Sequence, residues 1–292
     1  MENAHHAASA PLFLVLLVAA VASISLNIGK AVQKMKVEVL RRKKSVLTPP
    51  YRRDFLIWCF GMFLTFIAGF FFMVAQKMTD KASLVSSLNG VGLIGLAVFS
   101  WLVLKERVGP REWGSIGLII AGTAAVSYFN VAQSGEKVFN FANLLWVCGG
   151  AAVVLGLLLL AVIKFGRGHA LIFATMAGVA LGLMNVFYHS GPIVSEGSFI
   201  GQFKTAYPYI GFMIGNCAFV FTNLAFFHGT GITVVPTVNS FMIVSPMLFE
   251  VFVFNVSLAP LQYVGAALIV AGVIVLTTGG AVTIKNRVSG LG

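Results

Sequence analysis

Charge is what this sequence has least of. Only 10 % of its 292 residues are charged and 58 % are hydrophobic, whereas a soluble domain carries roughly 25 % charge. A water-soluble globular protein is excluded. Cysteine is scarce as well: Cys59, Cys148 and Cys217 are far apart inside apolar runs, without CxxC spacing. Neither a disulfide framework nor a zinc site is expected, and the three read as small packing residues. There is no HExxH pattern around His189 or His228, and no nucleophile sits at recognisable spacing from a base. An enzyme is therefore not expected, and nothing calls for a cofactor.

What the chain does have is long apolar runs. Nine are long enough to cross a bilayer, which takes about 20 residues each: Pro11 to Gln33, Phe55 to Gln76, Ala82 to Leu104, Trp113 to Asn130, Phe141 to Ile163, Ala170 to His189, Pro208 to His228, Gly231 to Phe254 and Pro260 to Ile284. Of the 31 glycines, 21 lie within these runs, which suits packed helices rather than barrel strands. The shortest joint, His228-Gly-Thr-Gly231, relies on Gly229 and Gly231 as helix stoppers. The expected fold class is all-α, a polytopic membrane protein.

A net charge of +11 could mark a nucleic-acid binder, but its distribution argues otherwise. Eight of the twenty basic residues fall in one connector, KMKVEVLRRKKSVLTPPYRR at 34–53. That is the pattern of a cytoplasmic loop touching anionic lipid heads, with no nucleic-acid partner. The amino-terminal MENAHHAASAPLFLVLLVAAVAS resembles a signal peptide in its apolar core, yet the basic cluster follows that core instead of preceding it. It is expected to be a retained first helix that starts outside. With that orientation sixteen of the twenty Lys and Arg residues fall on the inside, as cytoplasmic loops require. The carboxy terminus is then cytoplasmic and the location a plasma (inner) membrane. Trp58, Trp101, Trp113 and Tyr51 would mark the inner headgroup belt; Tyr128, Trp146, Tyr188, Tyr207, Tyr209 and Tyr263 would mark the outer one.

The chain also repeats itself. Shifted by 150 residues without a gap, 61–122 aligns with 211–272 and matches Gly61 with Gly211, Asn89 with Asn239, Pro110 with Pro260 and Gly122 with Gly272. This predicts repeat A over 11–130 containing the basic loop 34–54, a linking span at 141–163, and repeat B over 170–284, flanked by an outside tail 1–10 and a cytoplasmic tail 285–292. The odd fifth span inverts the second repeat, a plan common in secondary transporters. It explains why the first hinge, KERVGPRE, is charged and the second, NVSLAPLQ, is not.

The two segments LKERVGPREWGSIGLIIAG and SLAPLQYVGAALIVAGVIVL resemble the paired signature of the drug/metabolite transporter superfamily. The long basic loop and nine rather than ten spans are similar to its NIPA-type magnesium-transporter-like branch or to related EamA-like permeases. The resemblance covers about residues 12 to 282 and implies that spans one to three and six to eight line a central cavity.

Within the spans a few polar residues stand out as candidates for a substrate or ion pathway. Asn89 and Asn239, equivalent in the repeat, lie near the middle of their spans, where an amide needs a partner or a wet cavity; plain helix-to-helix hydrogen bonding is the alternative. Asn216 is central in span seven. Glu250 is the only carboxylate within a span; it is a candidate proton acceptor or cation ligand, or the partner of Lys204. Asn27 with Lys30, and Asn185 with His189, occupy span ends that the inversion could relate; for Lys30 a snorkelling anchor is the expectation. Pro236 and Pro246 free the carbonyls of Ile232 and Met242, whether to bind a ligand or simply to bend the helix. Glu106 and Arg107 mark the charged hinge. The pairs Gly178/Gly182 and Gly211/Gly215 predict close helix packing, within the monomer or across a homodimer.

The leading expectation is alternating-access transport of a small metabolite or drug-like solute, exchanged for protons through Glu250. The second is divalent cation transport with Glu250 as the only available carboxylate, a poor supply for Mg²⁺. The third is a scaffold without transport.

Overall fold

The computed structural model describes residues 12–41, 51–78, 88–106, 108–129, 139–165, 168–196, 198 and 200–289. Nine α-helices and no strand occur among them: α1 Leu12–Lys36, α2 Tyr51–Lys77, α3 Gly92–Leu102, α4 Pro110–Phe129, α5 Phe141–Phe165, α6 His169–Val194, α7 Tyr207–His228, α8 Gly231–Val253 and α9 Pro260–Ser289. Six of these, α1, α2 and α5 to α8, are long and apolar enough to cross a membrane. The fold is that of an all-helical polytopic membrane protein. The expected tail 1–10, residues 42–50 of the basic loop, and Arg107 lie outside the described residues. Helix α9 runs on through Ser289, so the region expected as a tail from 285 begins as helix.

Residues 82–87 of the expected third span lie outside the described residues. Its described part opens with a 3₁₀ turn, Leu88–Gly90, and becomes α-helical only at Gly92. Asn89 and Gly90 are poor helix formers, and α1 presses against the backbone here. A Cβ on Gly92 would stand 2.4 Å from the Ser23 carbonyl oxygen, so only glycine allows the approach. The short joint after α7 does break as its glycines predict, with Gly229 extended at φ −139° and Thr230 leading into α8.

Packing pairs α1 with α2 and α3, α6 with α7 and α8, and α4 with α9. The α3–α4 and α8–α9 hinges share one backbone design. Lys105 and Asn255, 150 residues apart, both take positive φ, 54° and 51°. Pro110 and Pro260 open the following helices, where a missing N–H costs nothing. The side chains of Glu112 and Gln262 reach back to accept from the backbone N–H of Gly109 and Ala259, each at 2.8 Å, the reciprocal half of a capping box. The α4–α9 contact exchanges equivalent positions: Gly122 meets Gly265, and Gly272 meets Ser115. The two helices therefore run antiparallel about a local two-fold.

In lipid the packing energy comes from close contact rather than from escape from water. Gly178 lies against Val238 and Phe241, Gly182 against Ser245 and Pro246, and Gly211 against Phe187 and Tyr188, so both glycine pairs serve contacts within the chain. The largest apolar core joins Leu96, Ile116, Phe173, Phe226, Ile232 and Val235 in the half of the bundle remote from the start of α1. Helix α5 is peripheral: Trp146 is 80 % exposed and Ile163 73 %. Trp58 departs from the expected belt, being buried beside Phe55 and Phe219. Cys217 is exposed and not a packing residue.

Candidate functional site

On the side where α1 begins, the helices separate around a cavity of about 330 Å³. Five of the residues singled out by sequence line it: Asn89, Asn185, His189, Pro246 and Glu250. Each has a clear structural origin. Asn89 projects from the 3₁₀ turn that α1 forces on the third span. Asn185 and His189 are one turn apart on α6, and Pro246 and Glu250 one turn apart on α8, so each pair shares a helix face. His189 Nδ1 lies 2.7 Å from Glu250 Oε1, with the histidine side chain 53 % exposed and the carboxylate 19 %. The carboxylate's partner is thus the neighbouring α6 histidine and not Lys204. Pairing is possible because α6 and α8 pack closely along Gly178 and Gly182.

Sequence reasoning missed Thr123, Ser127 and Gln262, which complete the polar lining from α4 and α9. The Thr123 hydroxyl is buried without a hydrogen-bond partner among the described residues, a donor left for a guest or a water. Only Gln262 carried a signal, through its position three residues after the start of the hinge turn. Phe72, Met242, Ile243 and Met247 supply apolar walls. Among the described residues no group of three or more His, Cys, Asp or Glu is placed to hold a metal. One carboxylate, one imidazole, amides and hydroxyls can hydrogen-bond a small polar molecule from several directions.

Toward the opposite side of the bundle a second polar set seals α1 against α8. Lys30 Nζ donates to Asn239 Oδ1 at 2.6 Å, Asn239 Nδ2 donates to Asn27 Oδ1 at 2.7 Å, and Asn27 Nδ2 donates to the Ser23 carbonyl at 2.9 Å. Ser23 Oγ in turn donates to the Asn89 carbonyl and accepts from the Gly92 amide. Asn239 is 2 % exposed and does not line the cavity; the two equivalent asparagines are joined through α1 rather than to each other. Lys30 is not the snorkelling anchor expected of it, because its amine turns inward to this chain.

Farther along, two charges of the first half grip the α7–α8 joint of the second. Both Glu106 carboxylate oxygens accept backbone N–H bonds, from Gly231 at 2.9 Å and from Ile232 at 3.1 Å. Lys34 Nζ donates to the Phe226 carbonyl at the end of α7. Each charge meets the helix end of opposite partial charge. Arg41 lies over the Phe227 ring at 5.1 Å, and Lys36 pairs with Asp54 at 2.6 Å, so part of the basic segment is spent within the protein.

Two candidates drop out. Asn216 is exposed on α7 and donates to the Phe212 carbonyl of its own helix at 2.8 Å; it joins neither polar set. Pro236 is buried in α8 away from the cavity lining, and α8 continues through both prolines as one helix.

Residues 6–128, which span α1 to α4, match the EamA-like transporter family. Over 283 residues, 86 % of this chain and 78 % of the relative, the sequence is 25 % identical to an Arabidopsis thaliana protein described as "Probable magnesium transporter NIPA9". No solved structure is significantly similar.

Proposed function

Taking the chain as a multi-pass membrane transporter similar to the EamA-like family, we propose that the cavity between its halves binds a small polar solute and carries it by alternating access. The observation that carries this reading is the cavity itself: its polar groups come from the turn at Asn89 and from α4, α6, α8 and α9, and it lies in the half of the bundle where α1 begins, whereas the largest apolar core lies in the other half. A volume of about 330 Å³ suits a solute rather than a bare ion. The repeated hinge geometry at Lys105 and Asn255, and the antiparallel α4–α9 pair, support two inverted units that rock against each other. With the amino terminus outside, this arrangement faces outward.

Divalent cation transport is the second reading, favoured by the name of the Arabidopsis relative. Mg²⁺ keeps most of its water and asks for carboxylates; here Glu250 would stand alone, beside His189. Reconstituting the protein in liposomes and comparing uptake of a panel of labelled polar metabolites with that of Mg²⁺ separates the readings. Solute uptake lost in Glu250→Gln supports the first, Mg²⁺ uptake lost in that variant supports the second, and neither flux contradicts both.

A further inference from the structure

Lys30 is hard to explain as structure alone. It is half-buried on α1, well inside the bundle, and among the described residues its one hydrogen bond goes to a neutral amide oxygen, that of Asn239. No ion pair to it is present among the described residues. The nearby carboxylate of the hinge, Glu106, is engaged by two backbone amides of α8. Glu250 lies eleven residues along α8 from Asn239, about 16 Å at the helical rise. An ammonium has three donors, and an ionisable group inside a membrane protein is by default a candidate for the pathway.

Its position relative to the cavity is equally specific. Asn239 sits one turn from Met242 and Ile243, which form the cavity wall. On the other flank Lys30, Asn239 and Asn27 lead to the Ser23 carbonyl, and the hydroxyl of the same Ser23 donates to the carbonyl of Asn89, whose side chain lines the cavity. Along Lys30, Asn239, Asn27 and Ser23 each group donates to the next, so the ammonium polarises the amides in one direction. The hydrogen-bonded set thus lies between α1 and α8, next to the cavity wall formed by Met242 and Ile243.

We infer that Lys30 is the specificity-determining charge of the passage: its ammonium holds the inner end of the cavity at positive potential, admits neutral or anionic polar solutes that can accept its hydrogen bonds, and turns away metal and organic cations. This rests on the reading of the cavity as the transport pathway. It weighs against the Mg²⁺ reading, because a divalent ion suffers twice the repulsion of a monovalent one at the same point.

The test needs no knowledge of the cargo. In the full-length chain with Cys59, Cys148 and Cys217 replaced by serine, a Met242→Cys substitution places a single thiol on the cavity wall. The rates of its modification by an anionic sulfonatoethyl and a cationic trimethylammonioethyl methanethiosulfonate report the local potential. With Lys30 present the anionic reagent is favoured. Lys30→Gln, and Lys30→Met as a second neutral variant should the first misfold, lower the anion-to-cation rate ratio about tenfold, the size expected for one charge within roughly 10 Å in a wet site; Lys30→Arg keeps it. An unchanged ratio in the neutral variants overturns the inference and leaves the cavity reading standing. Failure of both reagents to reach the thiol in folded protein overturns both.

Discussion

Glu106 accepts a hydrogen bond from the amide of Gly231 at 2.9 Å, across 125 positions of sequence and from one half of the molecule to the other. With its second oxygen on Ile232 and Lys34 on the Phe226 carbonyl, it holds the α7–α8 joint between opposite charges. The position equivalent to Glu106 in the second hinge is Val256, so the other hinge cannot make the same bond. On the alternating-access reading proposed above, the clamp favours the state in which the α1-start side is open. Glu106→Gln keeps the shape but loses the charge at the α8 amino terminus, worth about 1 kcal/mol. The expected result is an approximately fivefold rise in the reactivity of a cysteine placed at Val235 in the apolar core, measured by maleimide labelling.

The equivalent glycines of α4 and α9 make a symmetric prediction. A Cβ on Gly122 would sit 2.5 Å from the Gly265 carbonyl oxygen, and one on Gly272 would sit 2.9 Å from the Ser115 carbonyl oxygen. Backbone cannot yield as a side chain can. Gly122→Ala and Gly272→Ala should each destabilise the protein by about 1–3 kcal/mol, seen as a lowered midpoint of thermal unfolding in detergent. Replacing Gly114, whose Cβ would meet nothing within 4 Å, should leave the midpoint in place.

Asn216 and Asn239 separate two uses of the same residue type. Asn216→Leu removes an amide that bonds only its own helix on an exposed face, and should change stability by less than about 0.5 kcal/mol and leave transport intact. Asn239→Leu strands Lys30 and Asn27 in a buried site. A loss of about 1–3 kcal/mol for the unpaired groups should appear in denaturation by heat or detergent.

These asparagines also show how far the sequence can be read. The helices were legible because lipid demands long apolar runs, and the matching hinges were legible because Pro110 and Pro260 are conspicuous in so apolar a background. Cavity residues on the inner faces of α6 and α8 followed from polarity at span ends. Direction was not legible. In a membrane helix both faces are apolar, so little amphipathic pattern tells which way Asn216 or Lys30 turns. Long-range partners were hidden for the same reason: nothing in KERVGPRE indicates that Glu106 reaches the start of α8, and nothing near Ser23 shows that α1 packs against the turn at Asn89 and Gly92.

Glu250 and His189 line the cavity together, 2.7 Å apart. If the pair orients cargo, His189→Ala and Glu250→Gln should each cut solute uptake in liposomes at least tenfold, while the double variant falls little further because the two act as one unit. Additive losses would show that they work separately.

Side-specific labelling tests the central claim most directly. A cysteine at Asn185 on the cavity wall, in an otherwise cysteine-free chain, is exposed to an impermeant maleimide applied to one face of sealed vesicles and then to the other. Rapid labelling is expected from the face where α1 begins and protection from the opposite face, with the protection lost as the Glu106 clamp is removed. Labelling of the intact protein from the opposite face, or from neither, would contradict it.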